Sequence, residues 1–288
     1  MFALAFWMAN VILHLDFSNW LTTRVETSAG IIIPLNYKFQ AAVAVSIILS
    51  LILCRQFRNG ENHKLTMLYW TIWLLSSYVI TRYLITTNLE LIHFLQYGVL
   101  SYLFALVIDQ NRTRWPLATL ILVTLAFGIV DELNQYFFLT PANSAHMDFN
   151  DFFLNLQGAA GGLLFFYGFR FQGGDQVRRT TYWILSVISL YLACALGIVI
   201  LIANGTLIYM PDHSVPPGGI ETVGGLLKVY LQREPNLLGS WNTSFSGGQY
   251  YVLDAIEGIS LLVMATAIYS SYGYFSLTLR PKPETSGK

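Results

Sequence analysis

The sequence predicts an all-α protein, a polytopic transmembrane helical bundle of about seven helices. Three observations carry that prediction. Of its 288 residues, 55% are hydrophobic and only 11% are charged, where a soluble domain carries roughly 25% charged residues. Long apolar segments recur along the chain, each near the roughly 20 residues a helix needs to cross a bilayer. The basic residues gather in every second connection, a pattern that membrane insertion imposes on loops.

The apolar run at residues 2–15 is short for a span, and it fits either a short transmembrane helix or an interfacial one. No Lys or Arg precedes it, so it lacks the basic start of a cleavable signal peptide. Seven longer segments follow: A (31–54), B (65–85), C (91–108), D (116–138), E (152–169), F (181–203) and G (251–272). Segment A carries Pro34, Asn36 and Lys38 in its first turns, which moves its expected start toward Gln40. Cys54 and Cys194 both fall in apolar segments, which argues against a disulfide framework or a thiolate metal site. The chain divides into N-terminal membrane segments (1–64), a four-helix membrane core (65–170) and a two-helix extension (171–288). The extension contains a long connection, 204–249, in which Pro216, Pro217, Gly218 and Gly219 mark a loop. Residues 220–231 are expected to form an interfacial helix.

Arg55, Arg58, Lys64, Arg112, Arg114, Arg170, Arg178, Arg179, Arg280, Lys282 and Lys288 fall on one side, 11 of the 16 basic residues. The positive-inside rule makes that side, and the C-terminus with it, cytoplasmic. Twelve of the 16 acidic residues fall on the other side. The equal numbers of basic and acidic residues offer no attraction to nucleic acid. The partner implied by composition is the lipid bilayer.

Three polar clusters converge at the acidic, outer edge. Glu90, His93 and Tyr97 share one face of segment C, at i, i+3, i+7. Asp131 and Gln135 are i, i+4 in segment D, with Glu132 about 100° further round. Asp148, Asp151, Asn155, Gly158 and Gly162 line one face of segment E. Some of this has a structural explanation. Acidic residues complement the positive end of a helix, which covers Asp148, Asp151 and Glu90. Gly158 and Gly162, spaced G-x-x-x-G, allow close helix packing. Asp131 and Glu132 resist that account, because they lie toward the C-terminal end of their helix and inside an apolar span. Their charge calls for a cation, a proton, an Arg or a ligand. Arg82, near the outer end of segment B, is the basic residue placed to pair with them. Glu90, His93, Asp131 and Asp151 offer oxygen and imidazole ligands suited to a divalent cation.

These residues resemble the VanZ-like family of bacterial membrane proteins. The resemblance rests on Glu90-x-x-His93-Phe94-x-x-Tyr97-Gly98, on Asp131-Glu132-x-x-Gln135 and on Asp148-x-x-Asp151-x-x-x-Asn155-x-x-Gly158-x-x-x-Gly162, in that order, across segments B to E. It implies that 65–170 is a VanZ-like four-helix core in the bacterial cytoplasmic membrane, related to proteins of glycopeptide resistance. Two positions depart from the pattern. Asn143 stands near the place of a usual Arg after Pro141, and Gln96 replaces a frequent Glu.

Two functions follow as expectations. In the first, the cluster binds or acts on an envelope lipid or lipid-linked cell-wall precursor from the outer side, with a divalent cation or an acid–base carboxylate taking part. In the second, the cluster only holds helices together, and the chain is a structural or partner subunit of a membrane complex. A transporter is the third reading, and it lacks the internal repeats and midplane charges that carriers use.

Overall fold

Segments B to F of the sequence are helical over nearly all their described residues, and segment G is helical from Ala255. The computed structural model describes residues 3–9, 11, 25–26, 32–33, 63–85, 90–112, 117–139, 146–168, 177–215, 219–243 and 247–278. The long helices are α1 (His63–Tyr83), α2 (Ile92–Ile108), α3 (Leu117–Asn134), α4 (Phe149–Tyr167), α5 (Val177–Ala203) and α6 (Ala255–Thr278). A π-helical turn, Gln135–Leu139, continues α3. Residues 3–9 are helical too, and Trp7 meets Phe127 of α3 edge to face at 5.0 Å. The body of segment A, 34–54, lies outside the described residues.

The centre of the bundle is α4. It buries all but two of its residues, packing most extensively against α2 and also against α3, α6 and α1. Glycine makes this possible. A Cβ on Gly158 would sit 2.8 Å from the carbonyl oxygens of His93 and Phe94, and one on Gly162 would collide with the Gly98 carbonyl and the Ser101 hydroxyl. Ser101 Oγ donates across the same seam to Ala159 O at 2.9 Å.

The prediction of an all-α protein with about seven membrane helices is corrected on both counts. Seven strands occur among the described residues: β1 (Val25–Glu26), β2 (Ile32–Ile33), β3 (Leu207–Ile208), β4 (Ile220–Val223), β5 (Leu226–Tyr230), β6 (Ser240–Thr243) and β7 (Gln249–Val252). Two helices among the described residues, Leu117–Leu139 and Ala255–Phe275, are long and apolar enough to cross a membrane. Ile92–Ile108 is a shorter apolar helix, and Tyr191–Ala203 is a short apolar stretch of α5. The physical reason is plainest in α4, where Asn150, Asp151, Asn155 and Gln157 interrupt the apolar run and the helix is enclosed by protein. In α1, Lys64, Ser76, Ser77 and Arg82 do the same.

The expected interfacial helix at 220–231 is instead a hairpin of β4 and β5, paired Ile220 to Val229 and Val223 to Leu226. Gly224 and Gly225 both take positive φ, 59° and 80°, as a two-residue type I′ turn requires. Strand β3 adds to β5 in parallel, and β6 pairs with β7 antiparallel. These strands dock on one end of the bundle. Tyr136 of the π-turn donates from its hydroxyl to Tyr230 O at 2.8 Å, and Arg233 Nη2 donates to Tyr136 O at 2.8 Å. The Arg233 guanidinium also stacks over the Tyr136 ring at 4.6 Å. Asn150 binds the same end together, donating to Leu84 O at 2.8 Å and Tyr251 O at 2.7 Å and accepting from Leu253 N at 2.9 Å. Helix α6 then starts from a reciprocal cap: Glu257 N donates to Asp254 Oδ1 at 2.7 Å, and Asp254 N to Glu257 Oε2 at 3.0 Å.

Two predictions follow from this architecture. Replacing Gly162 with Val forces α2 and α4 apart, and overpacking of that kind costs roughly 1–3 kcal/mol or more. Gly197→Ala, on a surface with nothing within 4 Å, is the control and is neutral or slightly stabilising. Thermal melts in detergent read both. The second prediction concerns the exposed His213, whose Nδ1 meets Asp212 Oδ1 at 2.7 Å and whose Nε2 lies 3.7 Å from Glu221 Oε2. The Asp212 hydrogen bond raises the imidazole above its ordinary value. That pairing therefore contributes below the unfolded-state value and is lost as pH rises through the raised folded one. In an NMR titration of the His213 ring protons, Asp212→Asn lowers the midpoint; an unmoved midpoint would contradict the pairing.

Candidate functional site

The site forms at the end of the bundle where α2 and α4 begin and α3 passes into its π-turn. Helix α2 contributes His93 and Tyr97, one turn apart, with rings stacked 6.2 Å between centroids and 5° from parallel. Helix α3 contributes Asp131 and Glu132, and α4 contributes Asp151 and Asn155. All six are buried, Asn155 completely.

Asn155 joins the three helices. His93 Nδ1 lies 2.7 Å from Asn155 Oδ1, and Asn155 Nδ2 donates to Glu132 Oε1 at 3.3 Å. A carboxamide oxygen accepts but never donates, so His93 carries its proton on Nδ1 in this arrangement. Glu132 Oε1 also accepts from Gln135 Nε2 at 3.4 Å. Asp131 Oδ2 accepts from the Tyr97 hydroxyl at 3.0 Å. His93 Nε2 stands 3.8 Å from Asp151 Oδ2, and Nδ1 stands 3.8 Å from Glu132 Oε1. The second oxygen of Asp151, Oδ1, is sealed from solvent and has no hydrogen-bond partner.

The structure thus gathers His93, Tyr97, Asp131, Glu132, Gln135, Asp151 and Asn155 into one network. Asp148 works as the cap of α4, its Oδ1 accepting from Asn150 N at 2.9 Å and Asp151 N at 3.2 Å. Glu90 sits in the turn before α2, where its carbonyl accepts from His93 N at 3.0 Å. The expected pairing of Arg82 with the acidic group does not form: Arg82 is exposed, with its guanidinium 5.7 Å from the Tyr83 ring. The four residues expected to hold a cation are also rearranged. His93, Glu132 and Asp151 each offer a donor atom within 4.8 Å of the others, so Glu132 stands where Glu90 and Asp131 were expected. The physical cause is local. The Tyr97 hydroxyl engages Asp131, and α2 begins only after Glu90.

Two groups were missed from sequence. Gln157, completely buried, donates from Nε2 toward Trp73 O, Ser76 Oγ and Ser77 Oγ at 2.7–2.9 Å, and its Oε1 accepts from Tyr269 at 2.9 Å. It ties α4 to α1 and α6. The signal was a glutamine inside an apolar segment, one residue before the first glycine of the packing motif. Arg233 was the other, and nothing in the sequence near it marks its reach to Tyr136.

The chemistry available is that of an enclosed anionic site with one imidazole. Among the described residues neither Glu132 nor Asp151 pairs with Lys or Arg; their side-chain partners are His93, Asn155 and Gln135. Carboxylates gathered in a medium of low polarity require positive charge beside them, as protons or as a cation. Comparison with protein-family models, with curated proteins and with solved structures finds no match for this chain.

Asn155→Leu strips partners from His93 and Glu132 together, and leaving such groups unsatisfied costs about 1–3 kcal/mol or more. Tyr97→Phe removes a single hydroxyl and costs less, roughly 0.5–1.5 kcal/mol. Chemical denaturation in mixed micelles measures both, and an order reversed between them would contradict the joining role of Asn155.

Proposed function

We propose that this chain is a VanZ-like membrane protein of the bacterial cytoplasmic membrane, and that its buried polar site binds, or acts on, an envelope lipid or lipid-linked cell-wall precursor. The observation that carries the proposal is the convergence of His93, Glu132 and Asp151 from three helices, with Asp151 Oδ1 left without a hydrogen-bond partner. A network built only to hold helices gains from satisfying every buried oxygen, as the Gln157 network does with its amide. Membrane association is supported by the two helices long and apolar enough to cross a bilayer. The orientation proposed, C-terminus cytoplasmic and site outward, rests on the 11 basic residues gathered on one side. In that orientation the site lies at the level of outer-leaflet head groups. The VanZ-like assignment rests on the three polar motifs, whose members His93, Tyr97, Asp131, Glu132, Gln135, Asp151 and Asn155 share one network.

A second reading has one specific observation in its favour. His93, Tyr97, Glu132 and Asn155 are each bonded across a helix boundary, so the network also stabilises the bundle. In that reading the chain is a structural subunit of a membrane complex.

Native mass spectrometry of protein extracted from bacterial membranes separates the two. The wild type is expected to retain a phosphate-bearing lipid, and a His93→Gln, Asp131→Asn double variant that melts normally is expected to lose it. Equal retention by both proteins, or none by the wild type, would favour the structural reading.

A further inference from the structure

We infer that His93, Glu132 and Asp151 form a divalent-cation site, with Asn155 as the residue that positions its imidazole. One donor atom from each of the three lies within 4.8 Å of the others, and all three residues are buried. They come from α2, α3 and α4, so the site exists only in the assembled bundle.

The hydrogen bonds prepare His93 to be a ligand. Asn155 holds the proton on Nδ1 at 2.7 Å, which leaves the Nε2 lone pair on the side of Asp151. Metal-bound imidazoles are held in the same way, by an acceptor on the ring nitrogen that does not bind metal. The Nε2 to Asp151 Oδ2 separation is 3.8 Å, too long for a hydrogen bond. In the neutral ring a nitrogen lone pair and a carboxylate oxygen at this distance repel unless a proton or a cation lies between them. Ligands on one ion with bonds near 2.0–2.2 Å stand about 3.3 Å apart, so a side-chain adjustment of about half an ångström closes the pair on a metal.

The carboxylates are prepared as well. Asp151 Oδ1 is sealed from solvent without a hydrogen-bond partner, an arrangement that native proteins avoid unless something else satisfies the atom. Both side-chain hydrogen bonds to Glu132 fall on Oε1. A neutral imidazole and two carboxylates carry two negative charges, which one divalent ion offsets.

The donor set selects the kind of ion. An imidazole with two carboxylates and no thiolate suits Zn²⁺ or Mn²⁺ better than the all-oxygen preference of Mg²⁺ or Ca²⁺. Three protein ligands leave coordination positions open. A phosphate oxygen of a lipid head group fits there; that step alone rests on the function proposed above, while the cation site stands on the three residues.

The test begins with full-length protein stripped by chelator in detergent, then given Mn²⁺ or Zn²⁺ and desalted. The expected result is one equivalent of metal by mass spectrometry, with Mn²⁺ affinity followed by electron paramagnetic resonance. His93→Gln, Glu132→Gln and Asp151→Asn each weaken binding by at least about tenfold, and Asn155→Leu by roughly 10–100-fold as a residue that orients a ligand. Asp212→Asn, at the exposed His213 pair outside the network, leaves binding within about threefold. Wild type that binds no metal would overturn the inference, as would binding that survives all three ligand variants. If the ligand variants do not fold, X-ray absorption at the zinc edge decides on the wild type alone. One imidazole among oxygen neighbours supports the site, and an all-oxygen shell overturns it. A phospholipid retained without metal would overturn the cation site and leave the lipid reading standing; metal without lipid would do the reverse.

Discussion

The close approach of α2 and α4 is the constraint on which the rest depends. Gly98, Gly158 and Gly162 remove the side chains that would hold the two backbones apart. His93 can meet Asn155 only because its own carbonyl already lies against Gly158. Gly128 of α3 repeats the device on the other side, since a Cβ there would sit 3.0 Å from Asn155 Nδ2. Small residues at these two crossings thus let one asparagine join three helices. Along one face of α4 the positions that carry the chemistry, Asp151 and Asn155, come first, and those that pack the bundle, Gly158 and Gly162, follow.

Two buried networks run through that helix, and they differ in kind. The Gln157 network is neutral: an amide satisfied by carbonyls, hydroxyls and a phenol. Groups of that sort fix helix register without net charge. The network around Asn155 is ionisable, with Glu132 of α3 and Asp151 of α4 beside a single imidazole and Asp131 on the Tyr97 hydroxyl. Enclosure raises the cost of each unbalanced charge. The two networks are separated by less than one helical turn, yet only the second asks for something the chain itself does not supply.

The helices were legible in the sequence because apolar length is a strong signal, and segments B to G lie where helices lie. The same signal misled in two ways. It does not tell lipid-facing surface from surface buried in protein, so α4 read as a membrane span although its neighbours enclose it. In a chain this apolar, it also drew attention from the Val223-Gly224-Gly225-Leu226 turn, whose paired glycines between apolar residues mark a hairpin. Site residues were legible as polar positions on shared helix faces, which periodicity reveals. Their partners were less so. Whether Asp131 meets Arg82 or Tyr97 depends on helix rotation, which spacing within one helix leaves open. Arg233 lay beyond such reasoning, because a contact across 97 residues has no local signature.

That distance bears on how the protein is made. The carbonyl of Tyr136 and the amide of Asn150 find their partners in Arg233, Tyr251 and Leu253, 97 to 103 residues further along the chain. A ribosome adds roughly 5–20 residues each second, so α2, α3 and α4 emerge several seconds before the strands that fasten their shared end. During that interval the acidic pocket exists without its clasp. The three helices that carry the site are therefore complete in the chain before the strands that fasten their shared end have been made.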